Sequence, residues 1–514
     1  MTDEQTAHDE HYPDPASRLL ITISVMLATV MVTVDMTIAN VALPHMQATL
    51  SAGPEEIVWV LTSYIIATAI GTPLCGWLAS RFGRKRMMLV CVVGFVVASL
   101  ACGLANSLVV MVLARMVQGL FGAGLVPLSQ ATLLDSYPPE LHGKAMGFFS
   151  VGTMLGPLLG PTLGGWITDA VSWRWVFFIN LPIGLLAIAG IWLFQSNRDK
   201  LSPERFDFFG FASLSLALGS FQLMLDRGQQ CDWFESTEIW IEAGIAALAS
   251  WFTIVHMFTA RNTFIKPQIF ADRNFTVGAL MGAILGITSF AFVPIFTSMM
   301  QHQLGYSAWV TGIVSFPRGL SCMIGMLGVP FIMQKFGSRL PLALGLILSA
   351  IGMFMYSAMD NSVDTQALAM AGFVQGFGMG LLFVPLTTLS FATLPRGLRN
   401  EGTAMYNLVR NIGMAVGISF LQRDLIVDEA VNKARLTEYV RPDSPMVQFR
   451  LPDADFGSTA SLAQMDQMVT HQANIFAYLN IYHMLGVLSL ALIGLLVFIR
   501  APKRAETPEI MIVE

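Results

Sequence analysis

The sequence predicts an all-α polytopic membrane protein, in which two six-helix bundles flank two inserted transmembrane helices. Three observations predict this fold class. Of the 514 residues, 54% are apolar and only 12% are charged, about half the charged fraction of an ordinary soluble domain. Fourteen apolar runs are long enough to cross a bilayer, and features of the first half return in the second. This composition excludes a water-soluble globular protein and a disordered chain, and the net charge of −5 gives no indication of nucleic-acid binding.

The fourteen apolar runs are predicted to be membrane-spanning helices with both chain termini in the cytoplasm. A hydrocarbon core of roughly 30 Å requires about 20 helical residues. On this topology nineteen of the 29 Lys and Arg residues fall on cytoplasmic segments and seven outside, as the positive-inside rule requires. The runs are residues 19–43, 56–79, 87–105, 108–133, 144–168, 174–194, 207–226, 238–258, 275–299, 307–333, 340–358, 366–393, 402–422 and 477–499.

The two bundles are predicted to be parallel repeats of one plan. RFGRK at 81–85 returns loosely as KFGSR at 335–339, and QGLFGAGLVP at 118–127 returns as QGFGMGLLFVP at 375–385. Two such repeats are typical of secondary transporters with a binding site at the repeat interface, although glycine-rich helices can also resemble each other by chance. The predicted units are cytoplasmic tails at 1–18 and 501–514, bundles at 19–195 and 275–500, two inserted helices at 205–260, and an external loop at 424–475.

Four charged residues lie inside predicted spans, namely Asp35, Arg115, Arg318 and Arg410. Each would cost about 2.5–3.5 kcal/mol at a lipid-exposed helix centre, so we expect all four to face the bundle interior or a water-filled cavity. Hydrocarbon favours the neutral form of an acid and an arginine favours its ionised form. Asp35 is therefore the predicted proton-coupling acid, and a fixed structural ion pair with an arginine is the alternative.

Each of the three arginines inside predicted spans is either a functional residue or a structural one. Arg115 and Gln118 are three residues apart and share a helix face. Arg318 follows Pro317, so it either donates to the carbonyl that the proline frees one turn earlier or contacts substrate. Arg410 follows Asn407 by three residues. Several basic groups against one acid would suit an anionic or weakly acidic substrate.

The fifth run carries glycine at every fourth position. This step returns to nearly the same helix face, and a face without side chains allows close helix approach. Two prolines in the same run are expected to bend the helix. The pattern predicts a close-packed seal between the bundles, with simple helix packing as the alternative. The residues are Gly152, Gly156, Pro157, Gly160, Pro161 and Gly164.

Several motifs resemble the major facilitator superfamily, and within it the fourteen-helix drug:proton antiporters of the EmrB/QacA type. The resemblance covers about residues 19–500. LDRG at 225–228, DWF at 232–234 and PLTT at 385–388 are similar to the EmrB branch. The motifs that carry the wider resemblance are DMTIANVALP at 35–44, GWLASRFGRK at 76–85, RMVQG at 115–119 and GTMLGPLLGPTLGG at 152–165.

The resemblance implies an exporter of amphipathic toxic compounds in the bacterial inner membrane, driven by a proton gradient and using no cofactor. It also implies that Arg115 modulates the protonation of Asp35, with a structural hydrogen bond to a backbone carbonyl as the alternative. An EmrA-like periplasmic adaptor and a TolC-like outer-membrane channel are the implied partners. The external segment 424–475 and the loop 227–237 are candidate docking surfaces, unless they are ordinary flexible loops.

The motif at 76–86 departs from the family at Ser80, where relatives carry an aspartate that joins an ionic latch. We expect Asp135 to pair instead with Arg81 or Arg84. The alternative is that these cations only fix the topology of the chain. The residues of this predicted gate are Gly76, Arg81, Gly83, Arg84 and Asp135.

No enzyme or metal motif is visible in the sequence. It contains no GxxxxGK[ST], HExxH or GxSxG pattern, so an ion gradient rather than ATP is the expected driving force. Multidrug export has two alternatives. The first is a dedicated exporter of one metabolite, such as a fatty acid or siderophore, and the second is a channel or sensor without coupled transport. The residues predicted to line a substrate cavity are Asp35, Asn40, Trp59, Tyr64, Gln118, Met299, Gln301, Arg318, Phe383, Tyr406, Asn407 and Arg410.

Overall fold

The computed structural model describes residues 12–196, 206–260, 263–360, 363–395, 398–441, 443, 456 and 458–498. Nearly all of these residues are helical, which confirms the predicted all-α class. The predicted tail 501–514, residues 1–11 of the N-terminal tail and most of 442–457 in the external loop lie outside the described residues.

The first bundle contains six long helices. The fourth is interrupted between Gly122 and Leu125, within the glycine-rich sequence FGAGLVP. Gly83, at φ 89°, forms the sharp turn between the second and third helices, because left-handed backbone of this kind favours glycine. The helices are α1 (Pro15–Leu50), α2 (Trp59–Phe82), α3 (Arg84–Gly103), α4 (Leu108–Gly122 and Leu125–Ser136), α5 (His142–Ala170) and α6 (Trp175–Phe178 and Asn180–Phe194).

The two inserted helices, α7 (Phe208–Gly228) and α8 (Thr237–Thr259), form a hairpin. Asp207 accepts from the Gly210 amide at 2.9 Å and caps α7, and His256 of α8 lies 2.8 Å from the same carboxyl. At the other end of the hairpin Arg227 pairs with Glu238. These contacts fix α7 against α8 at both ends.

The second bundle also contains six long helices. Its first helix changes to π-helical geometry at Gly286–Phe290 and again at Met299–Gln303, and such bulges are frequent at functional sites. The helices are α9 (Arg273–Gln303), α10 (Ala308–Phe336), α11 (Arg339–Ser357), α12 (Thr365–Phe391), α13 (Arg399–Thr437) and α14 (Thr459–Ala491, continued by a 3-10 helix at Leu492–Phe498).

The bundles meet along two seams: α13 packs against α2 and α4, and α5 packs against α10 and α12. The inserted helix α7 packs against both α2 and α13. The Ser419 hydroxyl of α13 donates to the Leu225 carbonyl of α7 at 3.0 Å. The inserted hairpin therefore covers one of the two seams between the bundles.

The glycine face of α5 packs against α1 of the same bundle rather than against the other bundle. Gly152, Gly156 and Gly160 lie next to Met26, Thr33 and Thr37, and the Thr37 hydroxyl donates to the Gly156 carbonyl at 2.9 Å. The predicted seal between the bundles is therefore wrong for this face, because the missing side chains are used to bring α1 close. α5 approaches α10 at Gly143 and Gly147, near Pro330 and Met326.

Within the part of the chain that the structure describes, twelve helices are long and apolar enough to cross a membrane, and apolar side chains cover their outer surfaces. Trp192, Trp251 and Phe258 are 64–71% exposed, which suits contact with lipid. The helices α5, which is rich in glycine and proline, and α13, which contains Asn407, Arg410 and Asn411, are not among the twelve. The count of fourteen spans and the cytoplasmic position of the termini stay predictions.

Candidate functional site

The Asp35 carboxyl lies in the interior of the first bundle, where three side chains donate to it. Asp35 is 0% exposed. Its Oδ2 accepts from Arg115 Nη1 of α4 at 2.8 Å, and its Oδ1 accepts from Gln118 Nε2 of α4 at 2.9 Å and from Asn180 Nδ2 of α6 at 2.7 Å. Three helices therefore converge on one carboxylate.

The Arg115 guanidinium is held by acceptors besides Asp35. Its Nε donates to the Val60 carbonyl of α2 at 3.1 Å, and its Nη1 also donates to Gln118 Oε1 at 2.8 Å. Its Cζ lies 4.1 Å from the centre of the Tyr64 ring, a cation–π distance. The backbone-carbonyl role considered for Arg115 and its pairing with Asp35 are therefore both present.

Asn180 is a residue of this centre that the sequence reasoning missed. Its amide nitrogen donates to Ser99 Oγ at 2.9 Å as well as to Asp35, and the Ser99 hydroxyl donates to the Phe177 carbonyl at 2.8 Å. Asn180 is a carboxamide inside the apolar run 174–194. Because burying an amide without a hydrogen-bond partner costs free energy, its position alone indicates a buried polar partner.

The Arg115 guanidinium does not depend on Asp35 alone for its hydrogen bonds. Removing one partner of a buried ion pair leaves an uncompensated charge. If Asp35 takes up a proton, Arg115 still has the Val60 carbonyl and the Gln118 amide oxygen as acceptors. Asp35 and Gln118 are both 0% exposed, whereas the sequence predicted that they line a substrate cavity.

The second bundle contains a related centre around Arg318 of α10. Its Nε donates to Gln375 Oε1 of α12 at 2.6 Å, and its Nη2 donates to the Ser289 carbonyl of α9 at 3.0 Å. Its Cζ lies 4.9 Å from the Phe292 ring centre. The predicted carbonyl partner, one turn before Pro317 on the same helix, is therefore wrong, because the side chain points across to α9 and α12.

A polar bridge joins the two bundles at the end of the molecule that holds the 76–86 loop. Asp135 Oδ2 lies 2.9 Å from Arg84 Nη2, which is one of the two predicted pairings, and Asp135 Oδ1 lies 2.5 Å from Arg399 Nη1 of α13. The Ser80 hydroxyl donates to the Gly76 carbonyl at 3.1 Å. Arg399 was not predicted, and it makes the Asp135 cluster a contact between bundles.

A second contact between bundles lies deeper along the same seam. Asn407 Nδ2 of α13 donates to Gln130 Oε1 of α4 at 2.9 Å. Both residues are buried. Together with Asp135 and Arg399, this pair joins the two bundles at the end of the molecule that the predicted topology places in the cytoplasm.

The remaining residues predicted to line a cavity are divided among several places. Tyr64 is part of the Arg115 centre, Met299 accepts from the Tyr482 hydroxyl at 3.4 Å, and the Tyr406 ring lies 5.4 Å from that of Phe391. The exposed Asn40 donates to the Met36 carbonyl of its own helix at 3.3 Å. The other predicted cavity residues differ in solvent exposure. Trp59 is exposed, Gln301 and Arg410 are half-buried, and Phe383 and Asn407 are buried.

Comparison with known proteins identifies the family. The family model described as Major Facilitator Superfamily matches residues 25–418. "Multidrug export protein EmrB" of Haemophilus influenzae is 33% identical over 94% of this chain and 96% of its own length. The EmrB of Escherichia coli strain K12 is also 33% identical, over 95% of this chain and 96% of its own length. "Fatty acid resistance protein FarB" of Neisseria gonorrhoeae is 31% identical over 94% and 96%.

Two solved structures share the fold at low sequence identity. The human organic anion transporter MFSD10 (TETRAN) superposes with a TM-score of 0.61 at 14% identity, covering 94% of this chain and 100% of that one. The proton:xylose symporter XylE gives a TM-score of 0.59 at 16% identity, covering 93% and 95%. The matched family, the EmrB relatives and the apolar helices together show that the chain is a multi-pass membrane transporter rather than an enzyme, and that it belongs to the major facilitator superfamily and is of the EmrB type.

Proposed function

We propose that the protein is a proton-driven antiporter of the bacterial inner membrane that exports many amphipathic toxic compounds. The observation that carries the proposal is the Asp35 carboxyl, buried in the first bundle and held by Arg115, Gln118 and Asn180. The names of the EmrB relatives support multidrug export. A buried acid with an arginine partner supports proton coupling, since intramembrane acids commonly mark proton relays.

In the proposed cycle Asp35 alternates between ionised and protonated forms while the bundles rock. Protonation removes the charge that attracts Arg115, and Arg115 then relies on the Val60 carbonyl and Gln118. Opening of the predicted cytoplasmic end requires the contacts of Asp135 with Arg399 and of Gln130 with Asn407 to break. One proton crossing roughly 150 mV supplies about 3.5 kcal/mol, equivalent to a concentration ratio of a few hundred for a neutral substrate.

We also propose that the outer ends of α13 and α14 dock a periplasmic EmrA-like adaptor, which would connect the pump to a TolC-like channel. Beyond the predicted spans these helices are tied by Lys433 to Asp466 at 2.8 Å, and Asn480, near the start of the last predicted span, donates to Asp428 at 3.0 Å. The fixed pair offers a preformed surface on the predicted external side. Residues 227–237, between α7 and α8, are the second candidate for this contact.

The test of the proposed function is proton release from proteoliposomes. Purified protein is reconstituted in vesicles with an acidic lumen and a trapped pH dye, and a panel of lipophilic cations, neutral compounds and acids is added one at a time. We expect proton release with several members of the panel. Release with one compound alone would support a dedicated metabolite exporter, and release with none would contradict antiport.

A further inference from the structure

The Arg318 centre of the second bundle contains a buried cation for which the described residues supply no carboxylate. Arg318 is 7% exposed. Its partners are the Gln375 amide oxygen, the Ser289 carbonyl and the Met379 sulfur, all of them neutral. Burying an unpaired charge carries a large cost, so this centre lacks a component that the first bundle contains.

The repeat relationship identifies the missing component. Gln118 and Gln375 both begin the repeated QG motif, and each carboxamide oxygen accepts from a guanidinium. Asp35 corresponds to Ser289 at an offset of 254 residues, the same offset that relates Phe82 to Phe336. The second bundle therefore has a serine where the first has its carboxylate.

The guanidinium of the second centre comes from a different helix. The residue three positions before Gln375 is Gly372, where the first bundle has Arg115. A Cβ at Gly372 would lie 2.8 Å from Tyr356 Oη and 3.3 Å from Arg318 Cβ, so Arg318 of α10 and Tyr356 occupy that space. Each guanidinium nonetheless lies over an aromatic ring and beside a carboxamide.

Polar groups of the second centre remain without partners among the described residues. Gln375 Nε2, Ser289 Oγ and Thr288 Oγ1 are all buried and form no hydrogen bond there. These three residues are 0–1% exposed. In the first bundle the equivalent Gln118 Nε2 donates to Asp35 at 2.9 Å. Donors without partners beside a cation are the groups that a carboxylate binds.

We propose that the Arg318 centre binds the carboxylate of an amphipathic organic ligand, in the position that Asp35 occupies in the first bundle. Arg318, Gln375 Nε2 and the Ser289 hydroxyl would hold the carboxylate, and the side chains of Phe292 and Met379 provide apolar contact beside it. This inference rests on the proposed export function and assigns one chemical class of its substrates. A carboxylate fits better than a spherical halide, because a guanidinium and a carboxamide together hold a carboxylate in the first bundle.

The experiment measures binding of decanoate and of its neutral analogue decanamide to the purified full-length protein. In the wild type we expect decanoate to bind at least about tenfold more tightly, a difference of about 1.4 kcal/mol. Ser289→Asp places a carboxylate beside Arg318 and should abolish this preference. Ser289→Asn, of matched size and without charge, should retain most of it. Arg318→Gln should also abolish it.

Each outcome decides for or against the proposal. Equal affinities for decanoate and decanamide in the wild type, or an unchanged preference in Ser289→Asp, would overturn it. Stabilisation of the wild type by chloride, together with equal affinities for the two organic probes, would assign the centre to an inorganic anion instead. If Arg318→Gln does not fold, the Ser289→Asp variant still tests the proposal, because it supplies a carboxylate partner to Arg318 rather than removing the cation. Proton release by a lipophilic cation is scored separately, so its failure would contradict the proposed function and leave the binding result standing.

Discussion

Asp35 and Arg115 form an ion pair at 2.8 Å across 80 residues of sequence, with both side chains at most 1% exposed. The pair joins α1 to α4 at the centre of the first bundle, and the carboxamides of Gln118 and Asn180 hold the second carboxylate oxygen. Proton coupling as proposed requires this carboxyl to exchange a proton while Arg115 keeps its other acceptors.

Asn180→Leu should slow proton-coupled transport and lower the thermal midpoint of unfolding. The change removes hydrogen bonds to Asp35 and Ser99, and leaving buried partners unpaired costs about 1–3 kcal/mol. Gln195→Leu is the matched control, because Gln195 is a buried carboxamide that follows the same helix and contacts Thr132 instead. Equal transport defects in the two variants would contradict a specific role for Asn180.

Arg399→Gln should shift the protein toward opening at the Asp135 end. The substitution removes the cation that joins Asp135 to the second bundle at 2.5 Å. Spin labels at the exposed positions 82 and 336, at the ends of α2 and α10, should report longer distances. Lys85→Gln is the control, because Lys85 donates to the Trp192 carbonyl within the first bundle. An unchanged distance distribution in Arg399→Gln would show that this contact does not hold the end closed.

Gly156→Ala should destabilise the protein, whereas Gly165→Ala should not. Gly156 lies against Thr33 of α1, but a Cβ at Gly165 would meet nothing within 4 Å. At Gly165 the substitution should even favour the helix by roughly 0.5–1 kcal/mol. The measurement is the temperature at which half of each variant is lost from the monodisperse peak in size-exclusion chromatography after heating. This midpoint should be lower for Gly156→Ala than for Gly165→Ala. Equal midpoints would mean that the glycine face does not need its close approach to α1.

The core of the coupling centre could be predicted from sequence because charge inside hydrocarbon is rare and costly. Charge inside predicted spans singled out Asp35 and Arg115, and the three-residue step placed Gln118 on the helix face of Arg115. The link between Arg115 and Asp35 was implied by the family resemblance and not by spacing. Asn180 was harder to find, since a neutral amide is less conspicuous and its partner depends on how α6 rotates against α1.

Other features depend on three-dimensional packing that spacing does not determine. The four-residue glycine step in α5 predicted a close helix contact, but the partner, α1, could not be chosen from periodicity. Arg399 is the first residue of α13, and only the packing of α13 against α4 selects it as the partner of Asp135. Likewise Arg318 contacts Ser289 of α9, which the nearby Pro317 did not indicate.

The most direct measurement compares substrate-driven proton release in wild type, Asp35→Asn and the double variant Asp35→Asn with Arg115→Gln, with the exposed Asp364→Asn as control. Asp35→Asn should reach the membrane but unfold at a lower temperature, because losing one partner of a buried ion pair costs about 3–5 kcal/mol. The double variant should recover stability. We predict that neither releases protons while Asp364→Asn does, whereas release from the double variant would show that the pair is structural and contradict coupling through Asp35.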